Sequence, residues 1–303
     1  LALRVCGVNP GDKVLANAYT LAPVPGAIHN VGAEPVFIEI DDSYHIDLAD
    51  LENKSESSGA KFLLLSHMRG HMPEMSKVVE LCKAFHVVLI EDAAQSIGSC
   101  YKGKPSGSIG HIGCFSGHPL KNLNAFGDAG YLTTNDKDIA DKVRSLANHG
   151  MVDRNIVNNF GYVSRMDNIQ AGILNYHITK LDKVIIKRRE NAKYYKELLN
   201  SDHIYIPKFD EDKYDSYHTF VIQVDKRTEL ISFLESKGIQ TSIHYPIPIH
   251  LQPAAKYLGH KKGSFPETEK QSERILTLPI NQFMDRKKIQ YVANAINSFY
   301  EIF

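Results

Sequence analysis

The sequence predicts an α/β fold, with a mostly parallel central sheet carrying helices on both faces and a smaller α+β unit after it. Three observations carry this. Strand-like and helix-like segments alternate from residue 13 to residue 90. The strand candidates Phe62-Leu63-Leu64-Leu65 and Val87-Val88-Leu89-Ile90 are apolar at every position, as strands buried on both faces are. From about residue 203 the alternation gives way to a different pattern of strands and helices. The division expected is a large unit over 1–180 and a small unit over 181–303.

The elements follow in order. Residues 1–7 read as the end of a helix closed by Gly7, so the chain is expected to be a piece of a longer one. Asn9-Pro10-Gly11-Asp12 is a turn. Strands are predicted over 13–16, 34–40, 61–65 and 87–90. Helices are predicted over 23–31, 47–53 and 75–85, the last with Met75, Val78, Val79 and Cys82 on one face. A helix over 136–149 carries Asp136, Asp138 and Asp141 in its first turns, where acidic residues suit the helix dipole. A long helical stretch covers 167–198 with one break, and its basic run 183–189 reads as a solvated face. The small unit offers a strand at 217–224, a helix at 227–237, a strand at 238–243 and a closing helix at 289–302.

Composition excludes several functions. The 303 residues hold 35 basic and 35 acidic side chains, so nothing argues for nucleic acid or an anionic membrane as partner. No apolar run approaches the roughly 20 residues that span a bilayer. Four cysteines, at 6, 82, 100 and 114, show neither metal spacing nor a disulfide framework, and a reduced cytoplasmic setting is expected. His67 and His71 could share a helix face but lack the intervening Glu of a zinc protease, so no metal site is expected.

Two segments carry chemistry. The run ending at Ile90 continues into Glu91-Asp92-Ala93-Ala94-Gln95-Ser96, which puts a carboxylate at the C-terminal end of a buried strand, where such sheets bind ligands. Lys121 lies in a Gly- and Asn-rich turn after Phe115-Ser116-Gly117-His118. A lysine that forms a Schiff base and a carboxylate facing a pyridinium nitrogen are what pyridoxal phosphate (PLP) requires. Gln95 sits one helical turn beyond Asp92, so both could reach one ligand. Ser116 is a small hydroxyl suited to phosphate. Each has a plainer reading: Lys121 as a surface loop residue, Asp92 as a helix cap, Ser116 as a turn former, and His118 as loop packing.

Taken together, these residues resemble the DegT/DnrJ/EryC1/StrS family of sugar aminotransferases, PLP enzymes of fold type I. The matching segments are Glu91-Asp92-Ala93-Ala94-Gln95, Phe115-Ser116 through Lys121-Asn122-Leu123, Phe126-Gly127-Asp128-Ala129-Gly130, 161–167, His244-Tyr245-Pro246 with His250 and Gln252, and Leu276-Thr277-Leu278-Pro279. They occur in family order along nearly the whole chain. The resemblance implies that Lys121 is catalytic and binds the cofactor covalently, that Asp92 pairs with its ring nitrogen, that Gln95 approaches its ring hydroxyl, and that Ser116 binds its phosphate. It places His244, Tyr245 and His250 on the substrate side, and it implies a homodimer with sites at the interface.

Three departures from the family pattern stand out. Family members carry a helix and a Gly-Thr phosphate-binding pair before the segment matching Leu1-Ala2-Leu3. Val163 stands where the family usually has an Asn that reaches the partner's cofactor phosphate. Leu21 stands where an aromatic often stacks on the cofactor ring. Each lost phosphate contact weakens binding by roughly 1–3 kcal/mol. The expected function is transfer of an amino group, with glutamate as donor, to a nucleotide-linked keto-sugar, in polysaccharide or natural-product synthesis. Two alternatives stay open: a sugar dehydratase using the pyridoxamine form, whose enzymes carry His at the lysine position, and a catalytically silent relative with a binding or regulatory role.

Overall fold

The computed structural model describes residues 1–200, 202–207 and 212–302. The first unit alternates α1 (Ala2–Val5), β1 (Lys13–Asn17), α2 (Pro23–Asn30), β2 (Glu34–Ile38), α3 (Leu48–Ser57), β3 (Phe62–Ser66), α4 (Met75–Ala84) and β4 (Val88–Asp92). Two short strands, β5 (Cys100–Tyr101) and β6 (Lys104–Pro105), lead to β7 (Ile112–Ser116) and β8 (Gly130–Thr133). There follow α5 (Lys137–Ala147), β9 (Met151–Asp153), β10 (Ile156–Val157), α6 (Asn168–Ile178) and α7 (Leu181–Leu198). Then come β11 (Ile204–Tyr205), β12 (Lys213–Tyr214), β13 (Phe220–Val224), α8 (Arg227–Ser236), α9 (Pro266–Arg274), β14 (Ile275–Leu278) and α10 (Arg286–Ile302). No helix among the described residues is long and apolar enough to cross a membrane.

The central sheet runs β2-β1-β3-β4-β7-β8, parallel except for the antiparallel last strand. The apolar runs follow from its two covered faces. Leu15, Leu63, Leu65 and Leu89 pack on one face with Met75, Val78 and Cys82 of α4. Val14, Ala16, Leu64, Ile90 and Ile112 pack on the other with Val24 and Ile28 of α2. Alternate residues of one strand thus feed opposite cores.

A second, antiparallel sheet, β11-β13-β14, has its own core. Phe220, Ile222, Leu276 and Leu278 meet Tyr195 of α7, Leu230 and Leu234 of α8, and Ile289, Ile296 and Phe299 of α10. Strand β12 pairs with β5, which ties the segment before β13 back to the first unit.

Local signals act as the sequence suggests. Asp47 caps α3 by accepting from the Asp50 N–H at 2.8 Å, and Asp136 caps α5 by accepting from Asp138 and Ile139. The helical stretch over 167–198 breaks once, between α6 and α7. Two expectations are corrected. Residues 238–243 form no strand: only Ser242 bridges to Thr277, because Ile239 alone of this stretch is buried and its polar neighbours face outward. The basic run is not wholly solvated either. Arg188 is 8% exposed, and its Nη1 donates to the carbonyls of Tyr217, His218 and Ile280.

Glu91 is the most heavily bonded buried charge beside the site. Its carboxylate accepts from the N–H groups of Gly107, Ile109 and Gly110 and shares a 2.8 Å hydrogen bond with His67 Nε2. Burial alone would raise this carboxyl, but His67 and the Gly110 and Gly107 N–H groups outweigh it and hold it below the ordinary range. Glu91→Ala is expected to lower stability by about 3–5 kcal/mol, the scale for stripping one partner from a buried pair, as read by denaturant unfolding. Because the folded value is depressed, this contribution is full above the unfolded carboxyl range and is lost as pH falls through the lower folded value. A variant as stable as the parent at pH 7, with the same acid midpoint, would refute the assignment.

Candidate active site

The site forms where β3 and β4 end. Register pairs Ser66 with Asp92, so the two side chains leave the sheet on the same face. Ser66 Oγ donates to Asp92 Oδ2 at 2.9 Å, and the Ala94 N–H donates to Oδ1 at 3.1 Å. These bonds fix the carboxylate. The chain then turns, and Gln95 is clamped at both ends of its amide. Its Oε1 accepts from the Arg69 N–H at 2.6 Å, and its Nε2 donates to the Tyr245 hydroxyl at 3.1 Å. Arg69 is buried, holds φ +65°, and lies 3.6 Å over the Tyr44 ring.

Lys121 arrives from the neighbouring strands, in the loop that joins β7 to β8. The loop closes on itself through Gly117 N–H to the Ala129 carbonyl and Ala125 N–H to the Gly117 carbonyl, both at 2.7 Å. A Cβ at Gly117 would lie 3.0 Å from that of Ala129 and 3.3 Å from Leu174, so glycine permits the close return. Leu123 and Ala125 pin the loop against Leu174, Leu181 and Ile185.

Lys121, Asp92 and Gln95 line one cavity of about 960 Å³, together with Leu21, His67 and Met68. That volume lies in the range of about 300–1,000 Å³ usual for cofactor and ligand sites. Burial lowers the pKa of the Lys121 amine, and the nearby Asp92 carboxylate opposes this only in part. No hydrogen bond or ion pair holds this amine among the described residues. The site therefore offers a nucleophilic amine beside a fixed carboxylate, which is the donor set that a pyridine aldehyde needs.

The other expected residues fall as follows. Ser116 ends β7 and accepts from the His118 N–H at 3.3 Å, which leaves its own O–H free to donate. It does not itself line the cavity, although Cys114, Phe115 and Gly130 do. His118 is exposed and caps its own turn through Leu120 N–H. His244 Nδ1 meets Thr277 Oγ1 at 2.8 Å, while its carbonyl accepts from the Tyr19 hydroxyl. His250 is 1% exposed and faces away, toward Glu269 Oε1 at 2.9 Å and the Phe265 ring. Leu21 lines the cavity at 39% exposure, and Val163 stands 65% exposed outside it. His67 and His71 share no helix face: one pairs with Glu91 and the other with Asp215. Sequence reading missed Ser66, Arg69 and Tyr19. Ser66 alone had a usable signal, since it ends the strand next to that of Asp92.

Residues 1–297 match the DegT/DnrJ/EryC1/StrS aminotransferase family. The chain belongs to that family, and it is an aminotransferase of the PLP-dependent kind. It is 38% identical, over its whole length and 82% of the relative, to a pleiotropic regulatory protein of Geobacillus stearothermophilus. Over 99% of the chain and 80% of the relative, it is 32% identical to dTDP-3-amino-3,4,6-trideoxy-alpha-D-glucose transaminase of Streptomyces venezuelae. Its fold superposes on the crystal structure of S. venezuelae DesV, solved with a ketimine intermediate, with TM-score 0.95 and 32% identity, covering 99% of this chain and 81% of that one.

Proposed function

We propose that the chain moves an amino group from an amino acid, glutamate, to a keto-sugar carried on a nucleotide. The observation that carries this is Lys121 and Asp92 on the wall of one cavity, in a chain similar to a dTDP-sugar transaminase. PLP, once bound, supplies an electron sink that stabilises a carbanion at the carbon bearing the amine. Asp92, held by Ser66 and Ala94, keeps a ring nitrogen protonated. Gln95 presents an amide whose direction is already fixed, and Ser116 donates its O–H to phosphate. Lys121 Nζ takes a proton from the donor carbon and returns one to the sugar carbon, as base and then acid.

His244 and Tyr245 act on the substrate side, and Tyr245 also braces Gln95. His250 builds their loop from beneath, through Glu269. The division at 180/181 is kept as part of this reading, supported by the separate core of the second sheet; residues 201, 208–211 and 303 of the second unit lie outside the described residues.

A homodimer belongs to the same proposal. Val152, Ile156, Val157, Phe160, Tyr162 and Val163 stand exposed on one stretch, Phe160 fully so, and such a run of surface apolar groups suits burial against a second copy. Light scattering is expected to give a dimer, and an active monomer would contradict it. The relative named as a regulatory protein favours one second reading, binding without turnover.

The test is amine transfer from glutamate to nucleotide-linked keto-sugars, followed by mass, with Lys121→Ala alongside. The parent is expected to give an aminated sugar, and Lys121→Ala to lose at least about 1,000-fold in rate, as when the base and nucleophile are one residue. An unchanged rate in Lys121→Ala would reject the assignment. Binding of PLP without product, across keto-sugars, would favour the regulatory reading.

A further inference from the structure

Thr277 has no role in the chemistry above, although it touches the substrate-side loop. It sits in β14 at 8% exposure, and its backbone is paired on both sides. On the inner side it lies opposite Val221 of β13. On the outer side its N–H donates to the Ser242 carbonyl at 2.8 Å, and its carbonyl accepts from the Ser242 N–H at 3.2 Å. These bonds fix the backbone, and a β-branched side chain then has little freedom about χ1. Thr277 and Leu120, the residue before Lys121, border one cavity of about 860 Å³. Thr277 therefore stands beside the lysine loop.

The Thr277 hydroxyl meets Nδ1 of His244 at 2.8 Å, and this is the hydroxyl's only hydrogen bond among the described residues. His244 is held from other directions as well. Its carbonyl accepts from the Tyr19 hydroxyl, and the next residue, Tyr245, is bonded to Gln95. The ring is only half-buried, and its Nε2 has no partner among the described residues. That nitrogen is open to a ligand.

The direction of the Thr277–His244 bond follows from the donors available. Burial, then the positive charge of Lys121, lowers the pKa of His244, so the ring is neutral at pH 7. A neutral imidazole has one N–H and one acceptor nitrogen. If Nδ1 carried the proton, it would donate to Thr277, and the buried threonine O–H would be left without an acceptor. A buried donor with no acceptor is costly. If Thr277 donates instead, every group in the contact is satisfied. Nδ1 then accepts, and the ring proton sits on Nε2.

We infer that Thr277 is a positioning residue that donates to His244 Nδ1 and so fixes the imidazole as an Nε2–H donor for an acceptor oxygen of the sugar nucleotide. A ketone oxygen and a phosphate oxygen only accept, so the other tautomer would meet them lone pair to lone pair. The role toward substrate rests on the proposed amine transfer, but the tautomer does not.

The experiment is long-range proton–nitrogen NMR on the full chain carrying ¹⁵N-histidine at neutral pH, for the parent, Thr277→Val and Thr277→Ser, with His244→Gln to assign the signals. The parent is expected to show a bare Nδ1 and a protonated Nε2 at His244. Thr277→Val is expected to shift the tautomer ratio toward the Nδ1–H form by about 5–10-fold, the scale of one hydrogen bond. Valine keeps the methyl and loses the hydroxyl, and serine does the reverse. A merely structural role would make serine the worse variant, whereas the inference requires serine to keep the parent ratio. In the PLP-loaded enzyme, Thr277→Val is expected to raise KM for the keto-sugar about 10-fold with kcat little changed, and Thr277→Ser to stay near the parent. A protonated Nδ1 in the parent, an unchanged ratio in Thr277→Val, or a sugar KM that serine fails to preserve overturns the inference. If the tautomers behave as expected while the parent transfers no amine, the proposed function fails and the tautomer assignment stands.

Discussion

The chemistry proposed for the site needs a neutral amine at Lys121 beside a charged carboxylate at Asp92. In water these demands conflict, because a carboxylate favours the ammonium form of a neighbouring lysine. Here burial decides the outcome: the Lys121 amine falls below its ordinary range although Asp92 pulls the other way. Two separate pieces of chain have to meet for this. Asp92 is delivered by the parallel strand β4, and Lys121 by the loop after β7, whose parallel pairing with β4 sets Cys114 opposite Asp92.

The wall on which they meet is fixed by bonds that run beneath it. On one side of β4, Ser66 and Ala94 hold Asp92. On the other, Glu91 gathers three N–H groups from the 107–110 turn and a bond from His67. The neighbours 91 and 92 thus divide the work, one anchoring the 107–110 turn and the other facing the cavity. Arg69, in its left-handed conformation, extends the same edge to Gln95, and Tyr245 reaches that amide from the second unit. The Tyr19 hydroxyl on the His244 carbonyl is a further link between the units. Amide orientation at Gln95 is therefore coupled to how the two units sit together.

Much of this could be read from the sequence, and the reasons are specific. Strands such as Phe62–Ser66 are buried on both faces, so their composition alone marks them. Asp92, Gln95 and Lys121 lie in segments whose order along the chain carries information that no single residue does. What escaped depended on distant pairing. Residues 238–243 have a strand-like composition, but only Ser242 finds a partner. Arg188 sits in a basic run and looks solvated until the carbonyls of 217, 218 and 280 close over it. His250 follows a substrate-side motif, yet its ring turns to Glu269, nineteen residues away.

The central claim is that Asp92 and Lys121 act on one bound cofactor. The most direct measurement is the rate at which glutamate changes the absorbance of the PLP-loaded protein, compared between the parent and Asp92→Asn. Asparagine keeps the shape and removes the charge. If the claim holds, the variant still takes up PLP through Lys121 but reacts with glutamate about 100-fold more slowly or worse, the scale for removing one electrostatic group from a site. Reaction at the parent rate would mean that Asp92 does not face the ring nitrogen, and the claim would be wrong.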